Sequence, residues 1–334
     1  MFRFLIAAIA AVSLGTPAAA QSDLRFAIDG PLSGASAAYV LAADSGMFAA
    51  EGLSVELRPT RSGLDVVGRV SMGTYVGGVV DFGTFAEYLV SNPDSRLIAA
   101  MIIHDRPGYV VIGRKSRGVA APADLHGHTV GYDSDSLIEN RLVNFANAVN
   151  LKTSEMSLRH VDPTRLAAAL AAGEVDAVVG TGYEFLPELA RLGVPPDDLA
   201  VFHMADHGVV LYGQVVVISV DTARQSSGTV SKLLTGILNG WKAAIADPEA
   251  AVAAVVARNP ELDAALETDR LKAIIAENVL TPYVLENGFG DINQRRIEWT
   301  IAQLQENPIF IASEERGIFF TDLYLPPASA RTMP

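Results

Sequence analysis

From Leu24 the chain alternates short apolar runs with longer segments whose apolar residues recur at helical spacing. LRFAI (24–28), SVELRP (54–59), GVVDFG (78–83) and RLIAAMII (96–103) have the length and branched content of buried strands. Between them GASAAYVLAADSGMFAAEG (34–52), GLDVVGRVSMG (63–73) and FAEYLVS (85–91) read as helices. After HDRPGYVVIGR (104–114) the order restarts, with strands in GHTVGYD (127–133), EMSLRHV (155–161), EVDAVVG (174–180) and LAVFHMA (199–205). Helical patterns separate these at 136–150, 162–173 and 182–193. QVVVISV (214–220) is one more strand, and beyond it the pattern is mostly helical, ending with INQRRIEWTIAQLQE (292–306).

Strands alternating with helices predict an α/β fold of two similar lobes, each a mainly parallel sheet flanked by helices. A long helical tail cannot extend the second sheet, so it is expected to return and wrap the first lobe. The expected division is a leader at 1–20, a first lobe from 21–107 and 213–334, and a second lobe from 108–212. Two crossings, near 105–112 and 206–214, would make a two-strand hinge, with the cleft between the lobes as the ligand site.

One turn is written twice. VGGVVDFGTFAEYLV (76–90) and AAGEVDAVVGTGYEF (171–185) both leave a Val-rich run through G-T-x-x-E. Thr84 and Thr181 are placed as helix N-caps, with Glu87 and Glu184 at the capping-box position. The same helix starts could hold a polar ligand through free N–H groups, with Phe85 and Tyr183 stacking on a flat ring. Glu184 would then either cap or accept from the ligand. Asp29 and Ser33 at the end of the first strand, Ser62 after the second, and Tyr132 and Ser134 at the head of the second lobe add polar groups at the same sheet edges. GTGYEF fails as a dinucleotide fingerprint because Phe185 occupies the third glycine position.

Composition narrows the chemistry. A net charge of -13 argues against nucleic acid, and the absence of cysteine excludes disulfides, thiolate metal sites and a cysteine nucleophile. His126 and His128 read as an exposed turn. His203, Asp206 and His207 lack a third strong ligand at a recognised spacing, so no metal and no cofactor is expected. No motif for a catalytic serine, a zinc protease or a P-loop occurs. Residues 1–20, with Arg3, an apolar run and Ala18-Ala19-Ala20, read as a cleaved secretory signal, so the mature chain is expected in the periplasm. Trp241 and Trp299 both fall on apolar helical stripes and are expected in the core, with GIFFTDLYLPP (317–327) packed down on a lobe.

ADSGMFAAEGLSVEL (43–57), PADLHGHTVGY (122–132) and ALAAGEVDAVVG (169–180) carry a family resemblance. They resemble the solute-binding proteins of ABC importers for nitrate, sulfonates, taurine and thiamine-pyrimidine precursors. The resemblance implies a type II periplasmic-binding-protein fold, a small-molecule ligand closed between lobes, an ABC permease as partner, and a monomer. It also implies that Ser33, Ser62, Phe85, Tyr132, Ser134 and Tyr183 line the cleft. The chain departs from the pyrimidine-precursor binders at Gly30-Pro31 and Ser36, where those carry an aromatic residue and a histidine. It lacks the cysteine-rich motif of the fungal pyrimidine synthases, which argues against that activity. The cleft turns hold more aromatic residues than cations, Arg61 and Arg106 being the exceptions. That favours a flat heteroaromatic solute over a sulfonate, taurine or nitrate-type anion, while the lack of a base–nucleophile pair in the sequence favours a binder over an enzyme on the same fold.

Overall fold

The computed structural model describes residues 24–133, 136–305 and 320–334. The leader at 1–20 and Ser134 lie outside the described residues. Among the described residues ten strands form two five-stranded sheets. β1 (Leu24–Ile28), β2 (Val55–Pro59), β3 (Gly77–Asp81) and β4 (Leu97–Ile102) alternate with helices in the first. β5 (Tyr109–Arg114), β6 (Thr129–Tyr132), β7 (Ser157–His160), β8 (Ala177–Thr181) and β9 (Leu199–His203) make the second. β10 (Gln214–Ser219) then returns to the first sheet.

The sheet orders are β2-β1-β3-β10-β4 and β7-β6-β8-β5-β9, the same plan in each. In both, one antiparallel strand lies between parallel ones: β10 pairs antiparallel with β3 and β4, and β5 with β8 and β9. These two strands are the ones that enter a sheet directly from a crossing. YVVIGR, which the apolar pattern left inside the crossing, is therefore the central strand β5 and not a connector. Its residues 109–113 are fully or almost fully buried because helices and neighbouring strands cover both faces.

The late helices pack on the first sheet. The helix Ser227–Ala246 lies against the helix Ala37–Asp44 and buries Trp241 completely, edge-on to Tyr39 at 6.0 Å. At the other end, Phe320 bridges to Ala99 of β4 and stacks on Phe82 at 5.5 Å, so the C-terminal segment does fold down on that sheet. Trp299 is not core. It is 56% exposed on the helix Gln294–Gln305. That helix is held through Arg296, whose guanidinium donates to Asp105 at 2.8 Å and to the Leu211 carbonyl at 2.8 Å, binding the two crossing segments together. Arg296 also lies 4.2 Å over the Tyr212 ring.

Candidate functional site

The C-terminal ends of β1, β3 and β8 open on a cavity of about 420 Å³ between the sheets. A smaller one of about 330 Å³ shares Asp29, Tyr183, Glu184 and Gln214 with it.

β3 and β8 end alike, but not in the register of the sequence echo. The helix Phe82–Ser91 is capped by Asp81, whose carboxylate accepts from the Gly83 N–H at 2.8 Å and the Thr84 N–H at 3.3 Å. Thr84 therefore lies inside the first turn and is not the cap, and Glu87 sits in the second turn, out of reach of a capping box. The short Asp side chain supplies two acceptor contacts at once, which sets the helix start three residues before the threonine. In β8 the expected cap is found: Thr181 is the N-cap of the helix Gly182–Arg191. Its hydroxyl donates to Glu184 Oε2 at 2.7 Å instead of accepting from the backbone. Asp81 and Thr181 are thus the equivalent residues of the two lobes, each paired with the first residue of the antiparallel strand, Gln214 and Tyr109.

Of the residues singled out from sequence, Asp29, Ser62, Thr84, Thr181, Tyr183 and Glu184 line the larger cavity and Ser33 the smaller. The Ser62 hydroxyl accepts from the Asp65 N–H as a helix cap, and the Ser33 N–H donates to Ser36 Oγ at 2.9 Å. Phe85 does not face the cleft. It is fully buried, edge-on to Phe82 at 6.5 Å, because the helix begins earlier than its sequence suggests and turns that ring inward. Tyr132 is partly buried against the core and edge-on to His160 at 6.1 Å, away from the cavity lining.

Several lining groups escaped the sequence reading. Asp81, His104, Tyr109, Asp133, Arg141 and Gln214 all reach the larger cavity. Arg141 is 5% exposed and sits 3.8 Å above the Tyr109 ring, and both it and the Tyr109 hydroxyl donate to the Asp81 carboxylate. Asp81 belongs to the first sheet, and Tyr109 and Arg141 to the second sheet and its helix, so this cluster clasps the two halves across the cleft. His203, Asp206 and His207 do not converge. His203 faces Glu277 at 3.8 Å, Asp206 pairs with Arg106 at 2.7 Å, and His207 meets the Phe145 ring edge-on at 5.4 Å. Among the described residues no group of three His, Asp or Glu could hold a metal ion.

The cavity is acidic. Asp29, Asp81, Asp133 and Glu184 line it against the guanidiniums of Arg61 and Arg141, and Arg141 is already committed to Asp81. Glu184 is exposed at the cleft, yet the protein crowding it raises its carboxyl above the usual range; the Thr181 hydroxyl and the Arg270 charge oppose the effect, and Asp133 and Glu267 add to it. Burial, reinforced by the Glu184, Asp81 and Asp29 charges, pushes the Tyr183 hydroxyl up, so it stays a neutral donor. Burial lowers His104 to about 3, so its imidazole is neutral. Its Nε2 has no hydrogen-bond partner among the described residues. Pro187, within the helix Gly182–Arg191, has no N–H to offer the Tyr183 carbonyl one turn back. The arrangement brings fixed carboxylate acceptors and neutral donors together at one cavity.

Comparison with known proteins agrees with this architecture. The aliphatic sulphonate binding protein SsuA of Escherichia coli superposes with a TM-score of 0.70 at 14% identity, over 93% of this chain and 92% of that one. The alkanesulfonate-binding protein SsuA of Xanthomonas axonopodis pv. citri, bound to MOPS, gives 0.61 at 16% identity, over 92% and 99%. The two-lobed periplasmic-binding-protein fold is therefore shared. In sequence, the formylaminopyrimidine-binding protein of Halalkalibacterium halodurans is 26% identical over 230 residues, 66% of this chain and 66% of that relative. In the described residues no helix is long and apolar enough to cross a membrane. A family model described as NMT1/THI5 like matches residues 34–251, and the chain belongs to that family.

Proposed function

We propose that the protein is the substrate-binding component of an ABC importer. It takes up a small aminopyrimidine-like heteroaromatic solute between its lobes and hands it to a membrane permease, without chemical change. Residues 1–20 would direct it to the periplasm, where the mature chain acts as a monomer, with the lobes divided at 107–108 and 212–213 as the crossings suggest. The observation that carries the ligand class is the charge of the cleft. Four carboxylates face two guanidiniums, one of them neutralised by Asp81, which penalises an anion and favours a ring bearing amino N–H donors. Asp29 and Glu184 are the proposed acceptors, Tyr183 the ring contact, and Ser33, Ser62, Thr84 and Thr181 the polar surround. The family relative that binds a formylaminopyrimidine supports this reading, while the fold neighbours that bind sulfonates supply the competing one.

The test is calorimetric titration of residues 21–334 with an aminopyrimidine, an alkanesulfonate and nitrate, with recovery of the bound compound. Saturable binding of the aminopyrimidine alone, recovered intact, is the expected result. Preference for the sulfonate would replace the ligand class, and a changed compound would replace the binder with an enzyme.

A further inference from the structure

The floor of the cleft is built by the two chain crossings. The His104 N–H donates to the Gln214 carbonyl at 3.0 Å, and the Gly213 N–H donates back to the His104 carbonyl at 2.9 Å, so the two side chains are held as immediate neighbours. Both line the larger cavity. His104 is 1% exposed, with its ring edge-on to Tyr183 at 6.1 Å and to Trp241 at 6.2 Å. Space for this packing comes from two glycines: a Cβ on Gly213 would meet His104 Cβ at 2.7 Å, and one on Gly108 would meet the Tyr183 ring at 2.8 Å.

In this ordered setting His104 Nε2 and Gln214 Oε1 are buried and have no hydrogen-bond partner among the described residues. Buried polar atoms of native proteins are satisfied in the great majority of cases, and an orphan costs more than an apolar group of the same shape. Neither atom is used by a helix cap or an ion pair. Trp241, edge-on to His104 at 6.2 Å, carries a buried indole N–H that also has no hydrogen-bond partner among the described residues, and no hydrogen bond joins it to the imidazole. His104 and Gln214 both line the cavity, so a bound ligand can supply the missing partners.

We propose that His104 and Gln214 are specificity-determining residues that read the edge of the bound ring. Gln214 Oε1 accepts from an exocyclic amino or amide N–H of the ligand, and His104 Nε2 meets a ring nitrogen or a second polar atom beside it. This rests on the aminopyrimidine reading and deepens it: the ligand presents a donor and an adjacent nitrogen on one edge, and Asp29 and Glu184 serve its other groups. Because His104 remains a neutral imidazole, it contributes one donor or one acceptor and no charge, so the pair selects by pattern and not by ionic attraction.

The test is titration of 4-aminopyrimidine and 4-aminopyridine carrying the same substituents into the wild-type chain, His104→Phe, Gln214→Leu and His104→Asn. The pyridine lacks the ring nitrogen next to the amino-bearing edge. The expected result is that each apolar variant loses about tenfold to a hundredfold in affinity for the pyrimidine. His104→Phe should also lose most of the preference for pyrimidine over pyridine, while His104→Asn retains part of it. The ligand-free apolar variants should melt no earlier than wild type, because a partnerless polar group has been removed. A wild type that binds the pyrimidine, with both apolar variants binding it equally well, would overturn this assignment and leave the ligand class intact. A wild type that ignores both rings and binds an alkanesulfonate would overturn the ligand class and this assignment with it. Early melting of the ligand-free apolar variants would place the two residues in the scaffold and overturn the assignment as well.

Discussion

Replacing Arg141 by Met tests whether the two halves are clasped through Asp81. The Arg141 side chain is 6% exposed and that of Asp81 is 22% exposed, so the pair is screened little by water. Removing one partner of a buried ion pair costs about 3–5 kcal/mol. Asp81 would keep the Gly83 and Thr84 N–H groups and the Tyr109 hydroxyl, which places the loss near the lower limit, at about 3 kcal/mol. The guanidinium over Tyr109, shielded from water, adds about 1–2 kcal/mol. With an unfolding entropy of about 2 cal/mol/K per residue, each kcal/mol moves the midpoint of a chain this long by about 1.5 °C. Arg141→Met should therefore melt about 6–7 °C below wild type, read by calorimetry on ligand-free residues 21–334 at neutral pH. Asp81→Asn should cost a similar amount, since it strands the guanidinium. The double variant should lose much less than the sum, with a coupling of about 2 kcal/mol. Two single variants whose losses simply add, or an Arg141→Met chain that melts with wild type, would refute the clasp.

Other outcomes follow from the same site. Glu184 holds its proton more tightly when folded than when unfolded, so its ionisation works against folding as pH rises through the folded pKa, and the effect is absent below the ordinary carboxylate range. Glu184→Gln should accordingly melt slightly above wild type at about pH 8, with the difference closing by about pH 4, in a pH series of thermal melts. The same variant should bind the aminopyrimidine more weakly if the carboxylate contacts it, whereas unchanged affinity would return Glu184 to its contact with Thr181. Gly108→Ala forces the Tyr183 ring aside by overlap at 2.8 Å, so titration should show weakened binding while circular dichroism stays that of wild type. Acrylamide should quench Trp299 readily and Trp241 hardly at all, so Trp299→Phe should remove most of the quenchable, red-shifted emission.

The order of strands and helices was legible in the chain because each apolar run carries its own period and its own stop. β5 was not, since YVVIGR follows the crossing without a helix before it, and an antiparallel strand between parallel ones is settled by which neighbours accept its hydrogen bonds. The repeated G-T-x-x-E was real as sequence and misleading as register. Asp81 competes for the helix start with two backbone contacts and displaces Thr84, and Phe85 turns into the core as a result. Trp299 had the spacing of a core residue, but Arg296 on the same helix is the group that anchors it. Asp29, Thr181, Tyr183 and Glu184 could be found because strand ends in an α/β sheet face a common edge. His104, Gln214 and Arg141 could not, because what brings them there is the return of the chain to the first sheet and an ion pair between segments about sixty residues apart.

The measurement that bears most directly on the central claim is competitive calorimetric titration of residues 21–334 with an aminopyrimidine and an alkanesulfonate, with the bound compound recovered and identified. Saturable binding of the aminopyrimidine, undiminished by the sulfonate and followed by recovery of the intact ring, is the predicted result. Displacement of the pyrimidine by the sulfonate, or recovery of a different compound, would contradict it.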